Sequence, residues 1–467
     1  MSELWELNAA TLAKVIRDGR VSARDAATAC IGRIEAVNTK LTAVTVTYGE
    51  EALAAASAAD ERQAAGEVLG PLHGVPFGIK ENIDVQGWPT TDGVPAFAES
   101  VPPRDAPIVE QLKAAGAIPI AATNMPDFAL RWHTESSLRG TTLNPWSHER
   151  TPGGSSGGAA VALATGMVPL ALGNDLGGSL RVPAQYCGVV SLRPSHGRVA
   201  RASATMPGEF PLCFQLMYVE GPMARSVADL ELVLAAVSNA DPRDPWWVPA
   251  PIEHARKPAR HPIALTVNPG GMGVDPQVAA GVKKAAHVLA DAGYEIEEVE
   301  PPDVAEAMRM WQCLLWNESR SMLLESIREF GTPNAVRSLE LCDPFIPVAD
   351  KDELIRTYAE RQRLFRDWLA FLERYPLILG PVATERPFAV GDDVLSTERS
   401  QRLLDSMRLV VTVNLLGLPV SVVPTGIAEG LPQAVQLIGA PFAEARCMQA
   451  AAVIENALGP LTPITPQ

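Results

Sequence analysis

The chain has 467 residues, 47% of them apolar and 20% charged, a globular profile with room for a large core. Its net charge of −15 argues against partners that need a basic face, nucleic acid and an anionic membrane surface among them. Six cysteines (Cys30, Cys187, Cys213, Cys313, Cys342 and Cys447) lie far apart without a CxxC pair. They read as reduced core thiols of a cytoplasmic protein, not as a disulfide frame or a zinc site.

The opening MSELWELNAATLAKVIRDGR lacks the basic head and apolar run of a signal peptide. The uncharged stretches 151–174 and 409–428 are interrupted by glycine and proline, which argues against a membrane span. In chain order, helical spacing of apolar residues predicts two helices within 9–37, a strand over 41–48 and a helix over 50–65. A strand over 75–79 runs directly into Lys80. Next come a helix over 106–115, a strand over 118–122, and a helix over 126–131 capped by Thr123-Asn124. A helix over 155–165 and strands over 167–172 and 189–192 follow.

The proline- and charge-rich segment 241–262 reads as a surface connection. Beyond it are a strand over 263–267, a helix over 278–292 and a strand over 296–299. The span 306–371 is mostly helical in pattern and breaks the βα rhythm, so it is expected to cover a site. Strands over 377–379, 420–423 and 434–438, with helices over 400–415 and 444–458, complete the same sheet. The alternation predicts an α/β fold with a largely buried sheet. The whole chain, 1–467, is expected to be one domain with a helical excursion at about 303–375.

The chemistry concentrates in 151–184, TPGGSSGGAAVALATGMVPLALGNDLGGSLRVPA, where two glycine clusters each carry serine. The stretch contains no lysine, which excludes a GxxxxGK[ST] phosphate loop. In the second cluster, the N–H groups of Leu176, Gly177, Gly178 and Ser179 can converge beside the Ser179 hydroxyl. Acyl transfer needs that arrangement, each oxyanion donor being worth about 3–4 kcal/mol. Asp175 and Arg181 flank the loop in apolar surroundings and pair to hold it. Ser155 competes, because Gly153-Gly154-Ser155-Ser156-Gly157 satisfies the G-x-S-x-G elbow. That elbow needs a strand before it and a histidine base after it. The preceding NPWSHERTPGG is loop-like, and His196, His254, His261 and His287 lack a context that marks a base. Lys80, if buried, has the chemistry of a neutral base, but the residues alone do not select it among the lysines.

A resemblance does select it. The chain resembles the amidase signature family of serine hydrolases through Gly74-Val75-Pro76 followed by Lys80, Thr123-Asn124, and Pro152 to Gly158. Asp175 with Gly177-Gly178-Ser179, Arg181 and Pro183-Ala184 continues the match. So do Gly221-Pro222-Met223-Ala224-Arg225-Ser226-Val227, Gly430-Leu431-Pro432 and Gln436-Leu437-Ile438-Gly439. Leu176, where threonine is frequent, and Arg193-Pro194-Ser195-His196-Gly197-Arg198 depart from the common pattern outside the triad.

The resemblance implies a mixed central sheet with helices on both faces and a Ser–cis-Ser–Lys triad. Ser179 attacks, Ser155 (on a cis bond eased by Gly154) relays the proton, and Lys80 accepts it. Leu176, Gly177, Gly178 and Ser179 form the oxyanion hole, and no metal or cofactor takes part. Pocket walls are expected from Met125, Trp132, Met206, Phe214, Trp311 or Trp316. The expected substrate is an uncharged small-molecule amide with an apolar or aryl substituent. A carbamate or aryl ester is the alternative on the same triad. Two rival readings are the glutaminase subunit of a tRNA-dependent amidotransferase and a non-enzymatic binding protein, and family members often form homodimers.

Overall fold

In the computed structural model, residues 3–205, 209–252 and 262–466 are described. The strands are β1 (Val44–Thr47), β2 (Pro76–Lys80), β3 (Ile118–Thr123), β4 (Glu135–Ser136), β5 (Gly140–Thr141), β6 (Leu170–Asp175) and β7 (Val190–Arg193). They continue with β8 (Val219–Ala224), β9 (Pro262–Leu265), β10 (Glu295–Glu298), β11 (Leu377–Pro381), β12 (Val420–Ala428) and β13 (Leu431–Gly439). Among the described residues, eleven of them form one mixed sheet in the order β1-β3-β2-β6-β8-β7-β12-β13-β11-β9-β10. The remaining pair, β4 and β5, forms a separate ribbon.

Side chains alternate across this sheet with the period of two that strand geometry dictates. Leu170 and Leu172 enter one apolar layer with the helices Pro107–Ala114, Val227–Val237, Pro276–Asp291 and Glu444–Leu458. Ala171 enters the opposite layer with Ala23–Leu41, Gly157–Ala164 and Arg408–Leu416. The sheet is thus covered by helices on both faces. Gly157–Ala164 is buried at every residue, as a helix apolar all round must be. Its small residues are needed: a Cβ on Gly158 would lie 2.4 Å from the Asn124 nitrogen.

One register positions the site. β2 and β6 are parallel neighbours, Phe77 opposite Leu170 and Ile79 opposite Leu172. Their C-terminal ends therefore emerge together, Lys80 from one and Asn174-Asp175 from the other. Between β10 and β11 the chain makes the helices Val304–Met322, Leu324–Phe330, Pro333–Glu340 and Lys351–Arg374 before rejoining the sheet. Among the described residues, no helix is long and apolar enough to cross a membrane.

Several sequence expectations need correction. Residues 126–131 are not a helix; only a 3-10 turn, Asp127–Ala129, forms, with Phe128 and Ala129 at φ 54° and 59°. Asn124 does not cap it: its Oδ1 accepts from the adjacent Met125 N–H at 2.9 Å, while its Nδ2 donates to Gly140 O and Thr142 Oγ1, both at 3.0 Å. The helix expected over 400–415 is two, Thr397–Ser406 and Arg408–Leu416, broken at Met407. The strand expected over 167–172 lies later, at Leu170–Asp175. β8 matches no strand expected from the sequence. In the folded chain Pro222 sits opposite Leu172 inside the ladder. Met206, His254 and His261 lie outside the described residues.

Candidate active site

Lys80 is fully buried at the end of β2. Its Nζ donates to Ser155 Oγ and to Asn174 Oδ1, both at 2.6 Å. Asn174 Nδ2 in turn donates to Asn82 Oδ1 at 2.7 Å. Both lysine contacts are neutral oxygens. Burial disfavours the ammonium and lowers the Lys80 pKa to about 7, with Asp92 and Asp175 offsetting part of the shift. At neutral pH this amine can exchange a proton with the serine beside it.

Ser155 is fully buried and follows a cis Gly154–Ser155 peptide. No side chain fits at position 154: a Cβ there would lie 2.4 Å from Arg131 O. The Ser156 N–H donates to Ser179 O at 3.3 Å, tying the two serine segments together. Ser179 is 8% exposed, unlike Lys80 and Ser155 at 0%.

The loop before Ser179 is built on Asp175. Its carboxylate accepts from the N–H of Gly178 at 2.9 Å and of Leu180 at 3.2 Å. Arg181 grips it through Nε at 3.0 Å and Nη2 at 2.9 Å, and Asn414 Nδ2 donates to it at 2.7 Å. Burial works to raise this pKa, but Arg181 and Arg193 hold the carboxyl well below the usual carboxylate range. Gly178 thus differs from expectation. Its N–H is taken by Asp175, and among the described residues none accepts from the N–H of Leu176, Gly177 or Ser179.

Of the residues considered as pocket walls, Trp132 donates its indole N–H to Gly177 O at 2.8 Å. Trp311, from the helical segment, donates to Leu176 O at 3.2 Å. Trp316 meets Trp311 edge-on, ring centroids 6.0 Å apart. Phe214 stacks on Phe210 at 5.9 Å, and Met125 is fully buried beneath Gly93. Sequence reasoning missed Asn82, Asn174 and Asn414. The signal for Asn414 was a lone amide inside an apolar helix, where a buried polar group must find partners. Nothing in the residues flagged Asn174, whose role depends on strand register. Among the described residues, no group of three or more His, Cys, Asp and Glu side chains is placed to hold a metal ion.

A buried lysine thus meets a buried serine beside a second, serine-bearing glycine loop, on a mixed sheet covered on both faces. The family model described as Amidase matches residues 25–448. An indoleacetamide hydrolase of Bradyrhizobium diazoefficiens is 41% identical over 98% of this chain and 88% of its own length. A glutamyl-tRNA(Gln) amidotransferase subunit of Moorella thermoacetica is 35% identical over 97% of each chain. Among solved structures, a 6-aminohexanoate cyclic dimer hydrolase complexed with substrate has a TM-score of 0.85 at 26% identity, covering 98% of both chains. The chain belongs to the amidase family, with the amidase signature fold, and hydrolyses amide C–N bonds.

Proposed function

We propose that this amidase cleaves uncharged amides of aromatic or apolar acids through an acyl-enzyme on Ser179. The observation that carries the reading is the fully buried Lys80, 2.6 Å from Ser155 Oγ with its pKa lowered to about 7. Ser179 Oγ attacks the carbonyl carbon as its proton passes to Ser155, whose own proton moves to Lys80 Nζ. The developing oxyanion is met by the free N–H groups of Leu176, Gly177 and Ser179. Collapse of the tetrahedral intermediate needs a protonated leaving amine, and Lys80 returns the proton through Ser155. Water then releases the acid and regenerates the serine.

The aromatic preference draws on Trp132, Trp311 and Trp316 near the loop and on the indoleacetamide hydrolase at 41% identity. The helical segment serves as the cover of the site, with Trp311 its point of contact. A homodimer and a cytoplasmic location belong to the same reading, the latter supported by six unpaired cysteines, five of them buried. Light scattering tests the dimer.

The test of mechanism is peptide mapping after a small fluorophosphonate, on the native chain, Ser179→Ala, Ser155→Ala and Lys80→Ala. One adduct on Ser179, absent from Ser179→Ala and slowed in the other two, is the expected result. An adduct on Ser155 that survives Ser179→Ala would return the elbow reading. A panel of indole-3-acetamide, phenylacetamide, an aryl carbamate, an aryl ester and glutamine tests specificity. Turnover of glutamine alone would move the reading to an amidotransferase component.

A further inference from the structure

We infer that Trp311, and to a lesser degree Trp132, are positioning residues that aim the oxyanion-binding N–H groups of the loop 175–179. The inference rests on the reading of Ser179 as nucleophile. A peptide unit is planar and trans, so the C=O of one residue and the N–H of the next point in opposite directions on one rigid plate. Fixing a carbonyl therefore fixes where the following N–H points.

Successive carbonyls of this loop are each held from outside. Asp175 O accepts from Arg193 Nη1 at 2.8 Å and Asn414 Nδ2 at 3.3 Å. Leu176 O accepts from Trp311 at 3.2 Å and Gly177 O from Trp132 at 2.8 Å. The N–H groups set by these three plates are those of Leu176, Gly177 and Gly178. The first two have no acceptor among the described residues, and the third is held by Asp175.

The two tryptophans are not equivalent. The Gly177–Gly178 plate is anchored at both ends, by Trp132 on its oxygen and Asp175 on its nitrogen. The Leu176–Gly177 plate is anchored by Trp311 alone, and its N–H is free. Position 177 is shaped for this contact, because a Cβ there would lie 2.9 Å from Trp311 Cζ2. An indole has a single donor, and Trp311 spends it on the loop. A mere pocket wall would need only the ring. Trp311 also lies 135 residues from Leu176 in sequence, so the helical segment contributes a strut to the catalytic loop.

The experiment compares the full-length native enzyme with Trp311→Phe and Trp132→Phe, which keep an aromatic ring and lose the donor. Gly177→Ala, which crowds the Trp311 ring from the other side, is the second probe. Thermal midpoint, kcat and KM for phenylacetamide, and inhibition by the matching trifluoromethyl ketone and by phenylacetate are measured. The ketone forms a tetrahedral oxyanion on the nucleophile, whereas phenylacetate reports ground-state binding. Trp311→Phe is expected to lower kcat by about 10- to 100-fold with KM within about twofold. The trifluoromethyl ketone should weaken by the same factor as kcat/KM and phenylacetate should not. Trp132→Phe should lose less than about fivefold, and Gly177→Ala should follow Trp311→Phe.

A rise in KM with parallel weakening of ketone and phenylacetate makes Trp311 a wall and overturns the inference alone. So does a loss in Trp132→Phe as large as in Trp311→Phe. A fluorophosphonate adduct that persists in Ser179→Ala overturns the underlying reading and the inference with it.

Discussion

Two buried polar clusters sit side by side where β2 and β6 end, and they handle charge in opposite ways. Around Asp175, Arg181, Arg193, an asparagine amide and backbone N–H groups converge on one carboxylate. Around Lys80, the contacts are two neutral oxygens. Burial penalises both charges. In the first cluster the arginines outweigh it, and the carboxylate stays ionised across the physiological range. In the second the distant carboxylates offset only part, and the lysine is left near pH 7. A buried charge with its counter-ions in contact holds shape, whereas one without them is poised to trade a proton.

Removing the poised group should have the largest effect. Lys80→Met is expected to lower kcat/KM by about 10³-fold or more. In the native enzyme, kcat/KM should rise with pH through about 7 and level off above it, because the base is the neutral amine. A profile flat between pH 5 and 9 would remove Lys80 from the mechanism. The same shift has a stability consequence. An unfolded lysine keeps its proton to about pH 10.4 while folded Lys80 releases it near 7, so this residue's contribution to stability rises with pH between those values. Urea titrations of native and Lys80→Met chains, compared across that window, isolate the slope.

Breaking the locked cluster should cost folding free energy. Arg181→Met leaves Asp175 without its bidentate partner and is expected to destabilise by about 3–5 kcal/mol, read by chemical denaturation. A loss under about 1 kcal/mol would mean that Arg193 and Asn414 suffice to hold the carboxylate, and the contrast between clusters would weaken. The smallest effect tunes the poised cluster itself. The Asp92 carboxylate opposes the fall of the Lys80 pKa. Asp92→Asn should therefore move the acidic limb of kcat/KM to lower pH by a fraction of a unit. Movement to higher pH would contradict the sign of that interaction.

These clusters were unequally legible in the sequence. Asp175 and Arg181 stand six residues apart, close enough that a pairing across one turn could be read directly. Arg193 and Asn414 reach the same carboxylate from other strands and helices, and no local pattern announces them. Lys80 was invisible among the lysines until the resemblance chose it, since a lysine after an apolar strand is equally suited to solvent. The buried helix Gly157–Ala164 could be read from its small apolar residues, whereas β8, with Pro222 inside its ladder opposite Leu172, carries no such local pattern. The turn at 127–129 departs from its helix signal because Phe128 and Ala129 take positive φ, which an α-helix does not accommodate, and the Asn124 Oδ1 is taken by the Met125 N–H.

By itself the sequence determined the chemical inventory: two serine-bearing glycine loops, a lysine after an apolar strand, and patterns alternating between helix and strand. Those features are local, and local sterics and hydrophobic periodicity suffice to set them. The tertiary structure decided what the inventory does. The register of β2 on β6 brings Lys80 against Asn174, and burial there moves its pKa. Long-range packing brings Trp311 and Trp132 onto the loop carbonyls. Proton affinity and the direction of a peptide N–H depend on what surrounds them in space, and those neighbours come from distant parts of the chain.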